Sequence, residues 1–377
     1  MAKGYEEHKF TPRWNSHFQG HEKAEQEFLD VIQSGRMHHA WLICGPRGIG
    51  KATLAYRTAR YLLAQDFKNV DNSDQALDLV LARHQNNLIP ATATLCLNPE
   101  HPVFRRVASG SHTDFLGVER QYDEKTNKRQ IIGIGNNKSN PEPNTIRFVG
   151  AFLRKTPADG GYRVVVIDSV DELSINAAHA LLKILEEPPE HTLLLLVSHN
   201  PRTLLSTILS RCRQLSLHPL DAANVGSLIQ RYAPETNEEE IKSVVHFSNG
   251  SIGLALSLLA DDGLEMYHLV GVLLSDLPDL DISGIDKLGD MVAKDPSGKA
   301  FQTLYYILSY QLAEIAKANA LSDTHPNSGI SQWIDVWEET NTLFQKAESV
   351  NLDHKQVILN AFFAASAAAH NCPTGIL

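Results

Sequence analysis

The chain has 377 residues, 43% of them apolar and 21% charged, with a formal net charge of −10. This length predicts two or three domains, and the acidic balance argues against a protein that wraps DNA alone by neutralising phosphates. No apolar run approaches the roughly 18 residues of a membrane span, the start lacks the apolar core of a signal peptide, and the cysteines at 44, 96, 212 and 372 show no paired spacing, so a reduced, cytoplasmic protein is expected.

Phe28, Leu29 and Ile32 recur at helical spacing and predict an early helix. The paired His38 and His39 have no third ligand at metal-binding spacing, so they read as the approach to a strand, Trp41 to Cys44. That strand ends in Gly45-Pro46-Arg47-Gly48-Ile49-Gly50-Lys51-Ala52-Thr53, and a helix is predicted over Leu54 to Ala64. Gly45, four residues, then Gly50 and Lys51 is the spacing of a phosphate-binding loop. Glycines at positive φ bring N–H groups toward an anion, the helix N-terminus adds positive potential, and Lys51 supplies a charge for the outer phosphates. The position after the lysine should carry a hydroxyl to hold Mg²⁺; here it is Ala52, and Thr53 stands one place too late.

Further helices are predicted over Gln75 to His84, Val103 to Ala108 and Thr145 to Thr156. Strands are predicted over Phe115 to Glu119 and Gln130 to Ile134, with an exposed turn between them at Tyr122 to Arg129. Cys96 and His101 alone do not make a zinc knuckle. The basic side chains around the turn, Lys125, Lys128, Arg129 and Lys138, suit a solvated hairpin better than a nucleic-acid contact.

Arg163 to Asp168 is a continuous β-branched run, as in a strand buried on both faces of a parallel sheet. Asp168 at its C-terminal end stands where a P-loop NTPase carries its Mg²⁺-associated aspartate. The next position, where hydrolytic members place a water-activating glutamate, is Ser169. Asp171 and Glu172 lie further along. A helix over Asn176 to Glu187 is stopped by Pro188 and Pro189, and a strand over Thr192 to Val197 leads to Asn200, a polar group in reach of a γ-phosphate. Ser210-Arg211-Cys212 precedes a last strand, Arg213 to Leu217. Alternating β and α with apolar strands indicates a doubly wound, mostly parallel α/β domain.

From Asp221 the strand signal ends. Helices are predicted over Ala222 to Tyr232, Glu238 to Ser248 with Asn237 as N-cap, and Leu254 to Leu259, and then in five segments from Glu265 to His370. The expected organisation is an α/β domain over 1–218, a small helical lid over 219–263 and an all-helical domain over 264–377. The aromatics of the last part, among them Phe301, Tyr305, Trp333, Phe344 and Phe362, sit at helical spacing and read as core or oligomer contacts.

Four separated signatures stand in order: the Gly45 to Lys51 loop, Val164 to Asp168, Leu181-Leu182-Lys183-Ile184-Leu185-Glu186-Glu187-Pro188-Pro189, and Ser210-Arg211-Cys212. Together they resemble AAA+ clamp-loader subunits over residues 15 to 260, and the helical C-terminus resembles that family's collar. The resemblance implies ATP or ADP with Mg²⁺ as the ligand of Gly45 to Thr53, Asp168 and Asn200. It implies Arg211 as an arginine finger acting in trans on a neighbour's ATP. The implied partners are loader subunits of the gamma/tau and delta types, a sliding clamp and primer–template DNA.

Three departures from the family's motor set this chain apart. Ala52 replaces Thr, Ser169 replaces Glu, and Gly253 replaces the arginine near the start of the lid helix. The family's four-cysteine zinc module keeps only Cys96 here, so zinc is not expected. The expectation is a loader subunit without hydrolysis of its own, part of a replicative polymerase holoenzyme. An active gamma/tau-type motor, a P-loop small-molecule kinase and a purely structural scaffold remain as alternatives.

Overall fold

The computed structural model describes residues 11–67, 94–120, 122–123, 128–129, 132–135, 141–158, 161–260, 262–295, 298–321, 330–350 and 352–371. The predicted helix over Gln75 to His84 lies outside them. Two compact units emerge: residues 1–120 with 131–253, and residues 121–130 with 254–377.

The first unit is built on a sheet of parallel strands: β1 (Ala40–Cys44), β2 (Phe115–Glu119), β5 (Arg163–Asp168), β6 (Thr192–Ser198) and β7 (Arg213–Ser216), in the order β2-β5-β6-β1-β7. β1, β5 and β6 are almost entirely buried because successive side chains enter opposite cores. Trp41, Ile43, Val164, Val166, Leu193 and Leu195 go to one face; Leu42, Cys44, Val165, Ile167, Leu194 and Leu196 go to the other. Helices α1 (Glu22–Gln33), α2 (Lys51–Phe67) and α3 (Pro102–Ser109) supply the first face. Helices α4 (Ile146–Leu153), α5 (Ile175–Glu186) and α6 (Ser206–Leu209) supply the second. This is the doubly wound sheet that the alternating pattern predicts. β1 lies between β6 and β7 while the chain after it crosses to β2 at the far edge, so the crevice at the strand C-termini opens beside β1.

Local chemistry fixes the helix ends. Ser174 caps α5 by accepting from Ala177 N–H at 3.2 Å. Asp221 caps α7 (Ala222–Tyr232) by accepting from Asn224 N–H at 2.7 Å, and the predicted cap Asn237 accepts from Glu240 N–H at 2.8 Å to start α8 (Glu238–Phe247). Each such cap contributes about 1 kcal/mol. α5 stops at Glu186 ahead of the two prolines, with Glu187 already out of helical geometry.

A strap before α1 is tied to α2 by buried cations. Arg60 donates to the carbonyls of Arg13 (3.0 Å) and Asn15 (2.7 Å), and Arg57 donates to the Ser16 carbonyl and to Glu25, both at 2.7 Å. Asn15 and Gln19 continue the strap onto Tyr232 and Asn224 of α7.

One strand differs from expectation. The hairpin pairs β3 (Tyr122–Asp123) with β4 (Lys128–Arg129), inside the stretch read as a turn. Of the run predicted over Gln130 to Ile134, residues 130 and 131 lie outside the described residues, and Ile132 makes an isolated parallel bridge to Leu173. Gly133 and Gly135 follow that bridge, and the Gly133 and Ile134 carbonyls accept instead from Ile146 N–H (3.2 Å) and Arg147 N–H (3.1 Å) at the start of α4.

The second unit is helical through α10 (Gly263–Ser275), α11 (Ile282–Ala293), α12 (Lys299–Leu321), α13 (Ile330–Val350) and α14 (His354–Asn371). α9 (Ile252–Leu259) precedes them. Phe301, Trp333, Phe344 and Phe362 are buried, and Phe301 stacks on Phe344 with ring centroids 4.8 Å apart. Phe363 is 47% exposed. Among the described residues no helix is long and apolar enough to cross a membrane.

Candidate nucleotide site and surface arginine

The loop after β1 takes the backbone that its glycines permit. Gly45, Gly48 and Gly50 have φ of 141°, 74° and 104°. A Cβ on Gly45 would stand 2.4 Å from the Leu217 carbonyl oxygen, so a glycine is required there by contact as well as by φ. α2 begins at Lys51, which is 3% exposed. Its ammonium donates to the Gly45 carbonyl at 2.6 Å and to the Pro46 carbonyl. Burial pulls the Lys51 pKa down to about 7, against the upward pull of Asp168.

Asp168 ends β5 beside this loop. Burial, then Glu172 and Glu119, push its pKa up to about 6, while Lys51 and Arg47 oppose the rise. The two acids further along are committed elsewhere. Asp171 accepts from Ser198 Oγ (2.7 Å), His199 N–H (2.5 Å), Asn200 N–H (3.4 Å) and Ser169 Oγ (3.1 Å), so it organises the end of β6. Glu172 pairs with Arg47 at 2.5 Å and with Arg120 at 3.7 Å. A water-activating carboxylate would have to break one of these sets.

At the end of β6, the expected Asn200 is exposed and its side chain caps nothing. The neighbouring His199 faces inward instead. Its Nδ1 is buried with no hydrogen-bond partner among the described residues, and burial, Lys51 and Arg47 hold the ring well below its ordinary pKa. Strand alternation cannot pick His199 over Asn200, because the strand has just ended.

The loop is also covered by its own chain. Ser251 Oγ donates to the Arg47 carbonyl at 3.0 Å, and Gly253 N–H donates to the Gly48 carbonyl at 2.9 Å. A Cβ on Gly253 would lie 2.7 Å from the Gly48 Cα. From the other side, His21 Nε2 donates to the Ile49 carbonyl at 2.8 Å. His21 and Ser251 carry no motif signal, because their partners lie 28 and 204 residues away.

These contacts test the Mg²⁺–nucleotide group that the motif implies. The glycine conformations suit a phosphate chain. The rest does not suit a hydrolytic centre: Ala52 offers no oxygen, Lys51 is turned onto the loop's own carbonyls, and Asp171 and Glu172 are engaged.

Arg211 lies apart from this loop, on the turn between α6 and β7. Its Nη1 donates to the Thr207 carbonyl at 3.0 Å and its Nη2 pairs with Glu186 at 2.9 Å, with the arginine side chain 34% exposed. Cys212 beside it is 9% exposed, and burial pushes its thiol up to about 12, so it behaves as a core residue.

The family described as DNA polymerase III, delta subunit matches residues 81–221, a span holding Asp168, Glu186 and Arg211 but not the glycine loop. DNA polymerase III subunit delta' of Pseudomonas aeruginosa is 32% identical over 213 residues, covering 56% of this chain and 53% of its own length. DNA polymerase III subunit delta' of Escherichia coli is 28% identical over 240 residues, covering 64% and 60%. The E. coli subunit tau is also 28% identical, over 283 residues, covering 72% and 37%. The chain thus spans about half the length of the curated relatives it matches. Its similarity to delta' and tau agrees with the family resemblance drawn from the motifs.

Proposed function

We propose that this chain is a delta-prime-type subunit of a bacterial replicative clamp loader, acting in trans and hydrolysing no ATP itself. Its helical second unit joins a ring with motor subunits of the gamma/tau type and a delta-type subunit. Arg211 reaches the ATP of the neighbouring motor and stabilises charge on the phosphoryl group being transferred. In other NTPases such an arginine is worth roughly 10³–10⁵ in rate. The assembly then opens a sliding clamp and loads it on primed DNA.

The observation that carries this reading is a contrast. The chain's own loop is tied to itself through Lys51, Ser251 and Gly253, whereas Arg211 stands part-exposed on a surface turn with donors to spare. A guanidinium has five donors, and two contacts leave the others available to an anion. The self-tied loop supports a cradle that holds ATP or ADP poorly or without turnover.

The test is DNA-stimulated ATPase of the reconstituted loader carrying Arg211→Ala. A large loss with assembly intact is expected, and an unchanged rate removes the finger. An active gamma/tau-type motor is the second reading, favoured only by the similarity to tau. It requires ATPase in the purified single chain that Lys51→Ala abolishes.

A further inference from the structure

Glu186 touches Arg211, and how it is mounted matters. It lies in the last turn of α5, where the adjacent Leu185 is 2% exposed and packs in the core with Leu42, Val165, Ile167, Leu194 and Leu196 of the sheet. Glu187 N–H closes back on the Lys183 carbonyl at 3.3 Å, and Pro188 bars a further turn. The carboxylate therefore projects from a helix end anchored in the core beneath the sheet.

Arg211 is mounted separately. Ser210 N–H donates to the Ser206 carbonyl at 3.0 Å and Arg211 N–H to the Ile208 carbonyl at 3.1 Å, which sets the backbone of the turn. The side chain then bridges two elements, with Nη1 on Thr207 and Nη2 on Glu186. The two side chains are 34% and 48% exposed, so the ion pair adds little stability. What it removes is freedom. A free arginine side chain carries rotamer entropy that must be lost when the guanidinium engages an anion.

We infer that Glu186 is a positioning residue for Arg211, holding the guanidinium in the pose from which it meets the phosphates of a neighbouring subunit's nucleotide. This rests on the trans-acting role proposed above. The carboxylate acts through the arginine and touches no nucleotide. Preorganised charge of this kind lowers the barrier because no reorientation is needed during reaction.

The experiment uses the assembled loader with wild-type, Glu186→Gln, Glu186→Asp, Arg211→Ala and Glu186→Gln/Arg211→Ala chains, and reads DNA-stimulated ATP turnover. Glu186→Gln is expected to lower kcat about tenfold while KM for ATP stays within about twofold. Glu186→Asp restores part of the rate. In the Arg211→Ala background Glu186→Gln has no further effect, which a merely structural role would not give. Wild-type kcat in Glu186→Gln, a faster rate, or an equal loss in both backgrounds overturns the inference. If Arg211→Ala itself runs at the wild-type rate, the trans role fails and the inference falls with it. If Arg211→Ala is slow and Glu186→Gln is normal, only the positioning role fails.

Discussion

Gly253 and Gly48 meet backbone to backbone: a Cβ on Gly253 would stand 2.7 Å from the Gly48 Cα, and Gly253 N–H already donates to the Gly48 carbonyl at 2.9 Å. The position where the resemblance places a motor subunit's phosphate-sensing arginine is thus packed against the loop. Gly253→Arg cannot regain that arginine's role without moving the loop. The variant is expected to lose about 1–3 kcal/mol by overpacking and to show no ATPase as a single chain. Chemical denaturation and a steady-state ATPase assay check both parts.

The Gly253 contact also marks what could be read from sequence. The glycine spacing located the loop, and the β-branched run located β5, because both signals are local. The missing hydroxyl at Ala52 was equally plain. The cover over the loop was not, since Ser251 reaches Arg47 across 204 residues and His21 reaches Ile49 across 28. Nor could the sequence assign Asp171 and Glu172, which are spent on β6 and on Arg47 only once the sheet brings these together. Nor does the sequence show that the carbonyls of Gly133 and Ile134 bond to the start of α4 rather than to a neighbouring strand.

Asp171 holds the end of β6 through four acceptor contacts. Asp171→Ala leaves those donors without their partner at a half-buried position. A loss of about 2–3 kcal/mol is expected. Asp171→Asn keeps one acceptor oxygen and loses less. Denaturant midpoints for the two variants give the comparison, and a neutral Asp171→Ala would contradict this role.

Asp168 makes stability depend on pH in a stated direction. Its pKa rises from 3.8 in the unfolded reference to about 6 in the fold, mainly through burial. Between these values the folded chain binds more protons than the unfolded one, so its contribution is full below about pH 4 and is lost as pH rises through about 6. Asp168→Asn removes this dependence. Unfolding free energy measured from pH 4 to pH 6 is expected to fall less steeply in the variant than in the wild type. Equal slopes would contradict the assignment.

The central claim is that the chemistry this chain serves runs through Arg211 and not through its own glycine loop. The most direct measurement is DNA-stimulated single-turnover ATP hydrolysis by the assembled loader, with Arg211→Ala and Lys51→Ala compared in this chain alone. The account predicts a loss of roughly 10³-fold or more at the neighbouring site for Arg211→Ala, and a rate within about twofold of wild type for Lys51→Ala. A wild-type rate with Arg211→Ala, or a collapse with Lys51→Ala in an intact assembly, would contradict it.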